Sequence, residues 1–140
     1  MSDQNEILVD WDSFAQTRGE LGAGFVRILG YFQEDGIKSV TAIEQAMRAG
    51  SAVGLVLPAH TLKGEARQFG AEPLALAAEQ IETIARMCVE TRDTPDAALK
   101  HVVGLRDLFD RTMALLMREA NPLVERRPAG GFGRRAFGAR

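Results

Sequence analysis

The stretch AVGLVLPAHTLKGEARQF, residues 52–69, places apolar side chains at Leu55, Ala59, Leu62, Ala66 and Phe69. Steps of four, three, four and three residues keep all five on one side of an α-helix, the seam of a helix that packs against others in a bundle. Pro58 lies inside the stretch and removes one backbone donor, so a local kink is expected there. Ser51 is a candidate N-cap and Gly70 a candidate stop.

The flanking sequence repeats the same helical period. Upstream, Leu21, Phe25, Ile28, Leu29, Phe32, Val40, Ile43 and Met47 share one face of a helix expected over 21–49. Gly36 interrupts this helix at a cost of about 1 kcal/mol relative to Ala, with a break there as the alternative. Asp10 or Asp12 can N-cap a short opening helix over 13–17, and Trp11 and Phe14 then cover one end of the core. Downstream, Leu74, Ala77, Ala78, Ile81, Ile84 and Cys88 form a face starting near Glu72-Pro73, with Pro tolerated in a first turn. A loop over 91–95 leads to a last helix over 96–119, with Leu99, Val102, Leu105, Phe109, Met113 and Leu116 inward. No alternating strand pattern competes. The expected fold is all-α: an antiparallel up-down-up-down four-helix bundle over residues 1–120, with a short N-terminal capping helix. Residues 121–140, rich in Gly and Arg and without periodicity, are expected to be a disordered tail.

Composition narrows the function. The chain has 140 residues, 17 Lys+Arg and 19 Asp+Glu, which leaves no room for a nucleotide-binding catalytic domain plus a second domain. Residues 1–120 carry 12 basic and 18 acidic side chains, whereas residues 121–140 carry five Arg and only Glu125. The acidic body argues against a general nucleic-acid binder; the Arg-rich end keeps open a basic arm for an acidic partner. A single cysteine, Cys88, excludes an internal disulfide and a Cys-based zinc site, and two histidines far apart offer no metal site. No apolar run reaches membrane-spanning length and no signal peptide is visible, so a cytoplasmic, membrane-free protein is expected.

The seam through Leu62 excludes His60. Val56, His60, Lys63, Gly64 and Arg67 instead fall on a second stripe, most of which should face solvent. An imidazole nitrogen is a good nucleophile near neutral pH. Lys63 one turn on and Arg67 two turns on can each offset a phosphoryl charge by tenths of a kcal/mol. A mid-helix glycine beside a reactive side chain suggests that another surface approaches closely at Gly64. His101 has no such neighbours and reads as structural or solvated, and Cys88 as a small core residue.

The run AHTLKGEARQFGA, residues 59–71, resembles the signature of the histidine-containing phosphotransfer (HPt) domain: H-x-x-K-G, then Gly ten residues after the His. The opening VDWDSF, the long segment ending in AMRAG, and LALAAEQIE after the signature are similar to this family too, over about residues 7–119. The resemblance implies a monomeric helical bundle in a multistep phosphorelay, without bound cofactor and without autonomous kinase activity. Its partners would be response-regulator receiver domains, including those of hybrid histidine kinases. It further implies that His60 accepts a phosphoryl group from a receiver aspartyl-phosphate and passes it to another receiver's Asp. Lys63 would be the phosphate-side cation and Gly64 the gap that admits the receiver. The polar residue that family members often carry 22 positions after the His is Glu82 here; it would hold Nδ1–H and leave Nε2 free. Two positions depart from the common pattern: Pro58, which can tilt the His-bearing turn, and Gln68, a second imidazole partner or a solvated side chain. Val56 and Leu57 are the candidate apolar contacts for a receiver, with completion of the core as the alternative. A helical adaptor that binds a receiver or kinase without transferring phosphate shares the fold and surface but not the chemistry.

Overall fold

The computed structural model describes residues 7–120; the Gly/Arg-rich segment and Asn121-Pro122, expected to close the last helix, lie outside them. Asp10 caps the first helix, α1 (Trp11–Leu21), its carboxylate accepting from the backbone N–H groups of Asp12 and Ser13 at 3.1 and 3.2 Å. α1 is therefore longer than the expected 13–17 and absorbs Leu21. A single 3-10 turn (Gly22–Gly24) separates it from α2 (Phe25–Arg48). The separation falls at Gly22, whose φ of 56° is open to glycine without strain.

Gly36 does not break α2. It is buried, and a Cβ at this position would overlap the Phe109 ring. The glycine is thus a packing device that lets α2 and the last helix approach. Ser51 caps α3 (Ala52–Gln68) by accepting from Gly54 N at 3.0 Å. The helix runs without interruption through Pro58, and the Gly54 carbonyl that loses its donor belongs to an exposed turn. Phe69, Gly70 and Ala71 lead to α4 (Glu72–Thr91), with Pro73 in its first turn.

The expected final helix over 96–119 comes as three pieces: a 3-10 turn (Asp96–Ala98), a single turn α5 (Leu99–Val102), and α6 (Leu105–Ala120). The interruption falls at Val103-Gly104, where glycine weakens the helix. Leu99, expected inward, is half exposed, while Val102, Leu105, Phe109, Met113 and Leu116 are buried as expected.

α2, α3, α4 and α6 are the four bundle helices. Consecutive helices pack against one another, and α6 closes the ring against both α2 and α4. Among the described residues there is no strand. The core contains a chain of aromatic contacts, from Phe14 edge-on to Phe25, through Phe69 and Phe32, to Phe109, with centroids 5.2–6.1 Å apart. α1 covers one end of this chain. Trp11 lies edge-on to Phe14 at 5.1 Å, and Thr17 Oγ1 donates to Gln68 O at 2.6 Å. Asp10 N donates to Gly70 O at 2.8 Å, and a Cβ on Gly70 would come within 2.6 Å of Asp10 O. The glycine ten residues after His60 is therefore both a helix stop, at φ 78°, and the place where the N-terminal strap crosses the α3–α4 turn.

Candidate functional site

α3 lies between α2 and α4, and this position sorts its residues. Leu55, Ala59, Leu62, Ala66 and Phe69 enter the core and are fully buried. The side that carries His60, Lys63 and Arg67 turns towards α4, where all three find carboxylate partners. What faces solvent is the ridge between them and α2: Val53, Leu57, His60 and Gly64, one helical face at steps of four, three and four. The stripe expected from the sequence is thus rotated. Val56 is half-buried against the core, whereas Leu57 and the unanticipated Val53 are 70% and 71% exposed.

His60 sits mid-helix with its side chain about half exposed. Nδ1 is 2.9 Å from Glu82 Oε2 on α4. Glu82 is only 5% exposed and is the hub of the site. Lys63 Nζ is 2.8 Å from its Oε1; Arg86, one turn on along α4, donates to its Oε2 from Nε at 2.8 Å and approaches with Nη2 at 2.7 Å. Burial pushes the Glu82 carboxyl up, but the hydrogen bonds from Lys63, Arg86 and His60 together outweigh it and hold the group down at about 2. An ionised carboxylate can only accept, so the proton of the His60–Glu82 bond belongs to Nδ1 and Nε2 is left with its lone pair.

The structure brings His60, Lys63 and Glu82 together and places Gly64 on the same ridge. A Cβ on Gly64 would meet nothing within 4 Å, so no contact within the bundle requires a glycine there. Arg67 is turned away from the imidazole; its Nη2 pairs with Glu72 at 3.3 Å and Glu79 at 3.1 Å and ties α3 to α4. Gln68 is exposed and eight residues beyond His60, about 12 Å along the helix axis, too far to touch the imidazole. Lys63 is not a free cation but already engaged. Arg86 was missed by sequence reasoning; the i,i+4 spacing of Glu82 and Arg86 on a helical face was the available signal. Among the described residues no group of three or more His, Cys, Asp or Glu side chains is placed to hold a metal ion. No helix among them is long and apolar enough to cross a membrane.

Fold and site together define a helical bundle that presents one oriented imidazole on an exposed helix ridge, the architecture of a phosphoryl carrier. The Hpt domain family model matches residues 27–115, and the chain belongs to that family. Its fold is similar to the crystal structure of histidine-containing phosphotransfer protein B (HptB) from Pseudomonas aeruginosa PAO1, with a TM-score of 0.69. That match has 23% identity and covers 80% of this chain and 93% of the other. No curated protein matches the chain. The family membership gives the chain a phosphotransfer role in phosphorelays.

Proposed function

We propose that His60 accepts a phosphoryl group from the aspartyl-phosphate of one receiver domain and passes it to the aspartate of another. The observation that carries this reading is the His60–Glu82 contact. It fixes the ring, keeps the proton on Nδ1 and points the nucleophilic Nε2 away from α4. In the transfer the Nε2 lone pair forms the N–P bond as the P–O bond to the receiver carboxylate breaks, and that oxygen keeps the electron pair. The ring gains positive charge and retains the Nδ1 proton; the Glu82 carboxylate, too weak a base to remove it, stabilises the charge across 2.9 Å. The bundle contributes a positioned nucleophile, and the receiver contributes most of the electrostatic catalysis.

Gly64 removes a side chain from the ridge where the receiver must approach, and Leu57 and Val53 supply an exposed apolar contact one and two turns N-terminal to His60. Incubation with phosphorylated receivers tests the proposal. An acid-labile, base-stable phosphate should appear on the wild type and be absent from His60→Gln; transfer that survives this substitution overturns it. Gly64→Ala separates binding from folding. The change should raise stability by up to about 1 kcal/mol, as for a mid-helix glycine, while slowing transfer.

A further inference from the structure

Glu82 carries more positive charge than a single carboxylate needs. Lys63 and Arg86 both pair with it, and His60 adds a hydrogen-bond donor. The two cations differ in origin. Lys63 stands on α3, one turn from His60, and holds Oε1. Arg86 stands on α4 with Glu82 itself and holds Oε2, the same oxygen that accepts from His60 Nδ1. Its bond is an i,i+4 contact within one helix, independent of what happens on α3.

Phosphorylation of Nε2 would place close to two negative charges on the ring that Lys63 flanks. Lysine is a compact charge on a flexible stem and can swing to the new anion. If it were the sole cation on Glu82, that swing would strip a buried carboxylate of its counter-charge while Nδ1–H depends on it. We infer that Arg86 is a positioning residue that keeps Glu82 ionised and aimed at His60 Nδ1 after Lys63 leaves Oε1 for the phosphoryl group. Lys63 then serves two anions in turn, Glu82 before transfer and the phosphoryl oxygens after it, and the Glu82–Arg86 pair is the fixed element of the exchange. The inference rests on the reading of His60 as the phosphoacceptor.

The test uses the full chain, phosphorylated on His60 by phosphoramidate, so that no receiver is required. The His60 Nδ1 proton is followed by 1H–15N NMR above neutral pH, where phosphohistidine persists, in four samples: wild type and Arg86→Gln, each free and phosphorylated. In the free proteins Lys63 still holds Oε1, so the substitution should change the exchange of this proton little. In the phosphorylated pair the proton, slow to exchange in wild type, should be lost to solvent exchange in Arg86→Gln. Arg86→Lys keeps a charge at the same place and should restore the signal in large part. An effect of equal size in the free and phosphorylated pairs overturns the inference, because Arg86 is then an ordinary counter-ion. Persistence of the Lys63–Glu82 contact in the phosphorylated wild type also overturns it. Absence of transfer from every phosphorylated receiver would overturn the phosphorelay reading alone and leave this measurement interpretable. A His60 that resists phosphoramidate overturns both.

Discussion

Two glutamates sit on the two flanks of the His-bearing helix and are treated in opposite ways. Glu82, reaching α3 from α4, meets Lys63, Arg86 and a ring N–H, and is held down at about 2. Glu65, on α3 itself, faces α2 and meets Asp35. Burial and then the neighbouring negative charge of Asp35 push it up to about 7, and a hydrogen bond to Asp35 adds to the rise. Its Oε1 is buried with no partner among the described residues. One side chain type therefore gives a permanent anion beside the imidazole and a titrating acid on the other flank. Two cations stand on the site-side carboxylate and a second carboxylate stands beside the far one, which concentrates fixed charge where the reactive ring needs it.

The strongest challenge to this contrast is Glu82→Ala. It leaves Lys63 and Arg86 facing each other and the imidazole unanchored; a loss of about 2–3 kcal/mol in urea unfolding is expected, below the full cost of breaking a deeply buried pair because Arg86 is half exposed. The imidazole should also lose its single tautomer in 15N NMR. Loss of less than about 0.5 kcal/mol with the tautomer intact would show that Glu82 is not the hub.

Acid unfolding sharpens the same point. The folded-state value of Glu82 is depressed, so its contribution is complete above the ordinary carboxylate value of 4.5 and disappears as the pH falls towards 2. A series of melts from pH 6 to pH 2 should therefore fall more steeply for wild type than for Glu82→Gln, the two curves converging at the acid end. Parallel curves would mean that the carboxylate gains nothing from its partners.

Glu65 predicts the opposite slope. Its folded-state value is raised, so the associated stability is complete below 4.5 and is lost as the pH rises through about 7. Glu65→Gln should remove that loss, with a gain of about 1 kcal/mol at pH 8 after allowance for solvent screening, or about 4 °C in Tm. At pH 5 the gain should shrink towards zero, and a pH-independent effect would exclude the carboxyl pair as its source. Lys63→Ala should have the smallest effect on stability, a few tenths of a kcal/mol, because Arg86 still neutralises Glu82. A loss as large as that of Glu82→Ala would refute the redundancy of the two cations.

Much of this was legible in advance where the signal lay within one helix. The seam Leu55–Ala59–Leu62–Ala66–Phe69 is a property of helical period alone, and all five residues are buried. Ser51 and Asp10 act as caps through their own side chains. What one helix leaves open has a common cause. The helix runs on through Gly36 as expected, but only across the bundle is this glycine the seat of the Phe109 ring. Val56 and Leu57 are neighbours in sequence, and only the packing of α3 against the core decides that Val56 turns in and Leu57 turns out. Leu99 fits the period of a continuous helix, but Ala98, one residue earlier, takes the inward place in step with Val102 and Leu105 and is fully buried.

The sequence by itself determined that a histidine, a lysine and a side-chain-free position recur on one helical face, because i, i+3 and i+4 neighbours are set by backbone geometry. Resemblance to a family added Glu82 as the ring's partner. Tertiary structure alone decided that Lys63 is already paired, that Arg67 points to Glu72 and Glu79 instead of the imidazole, and that Arg86 joins the site. These depend on the relative rotation of α3 and α4, which is fixed by how two helix surfaces interlock and not by the period of either one.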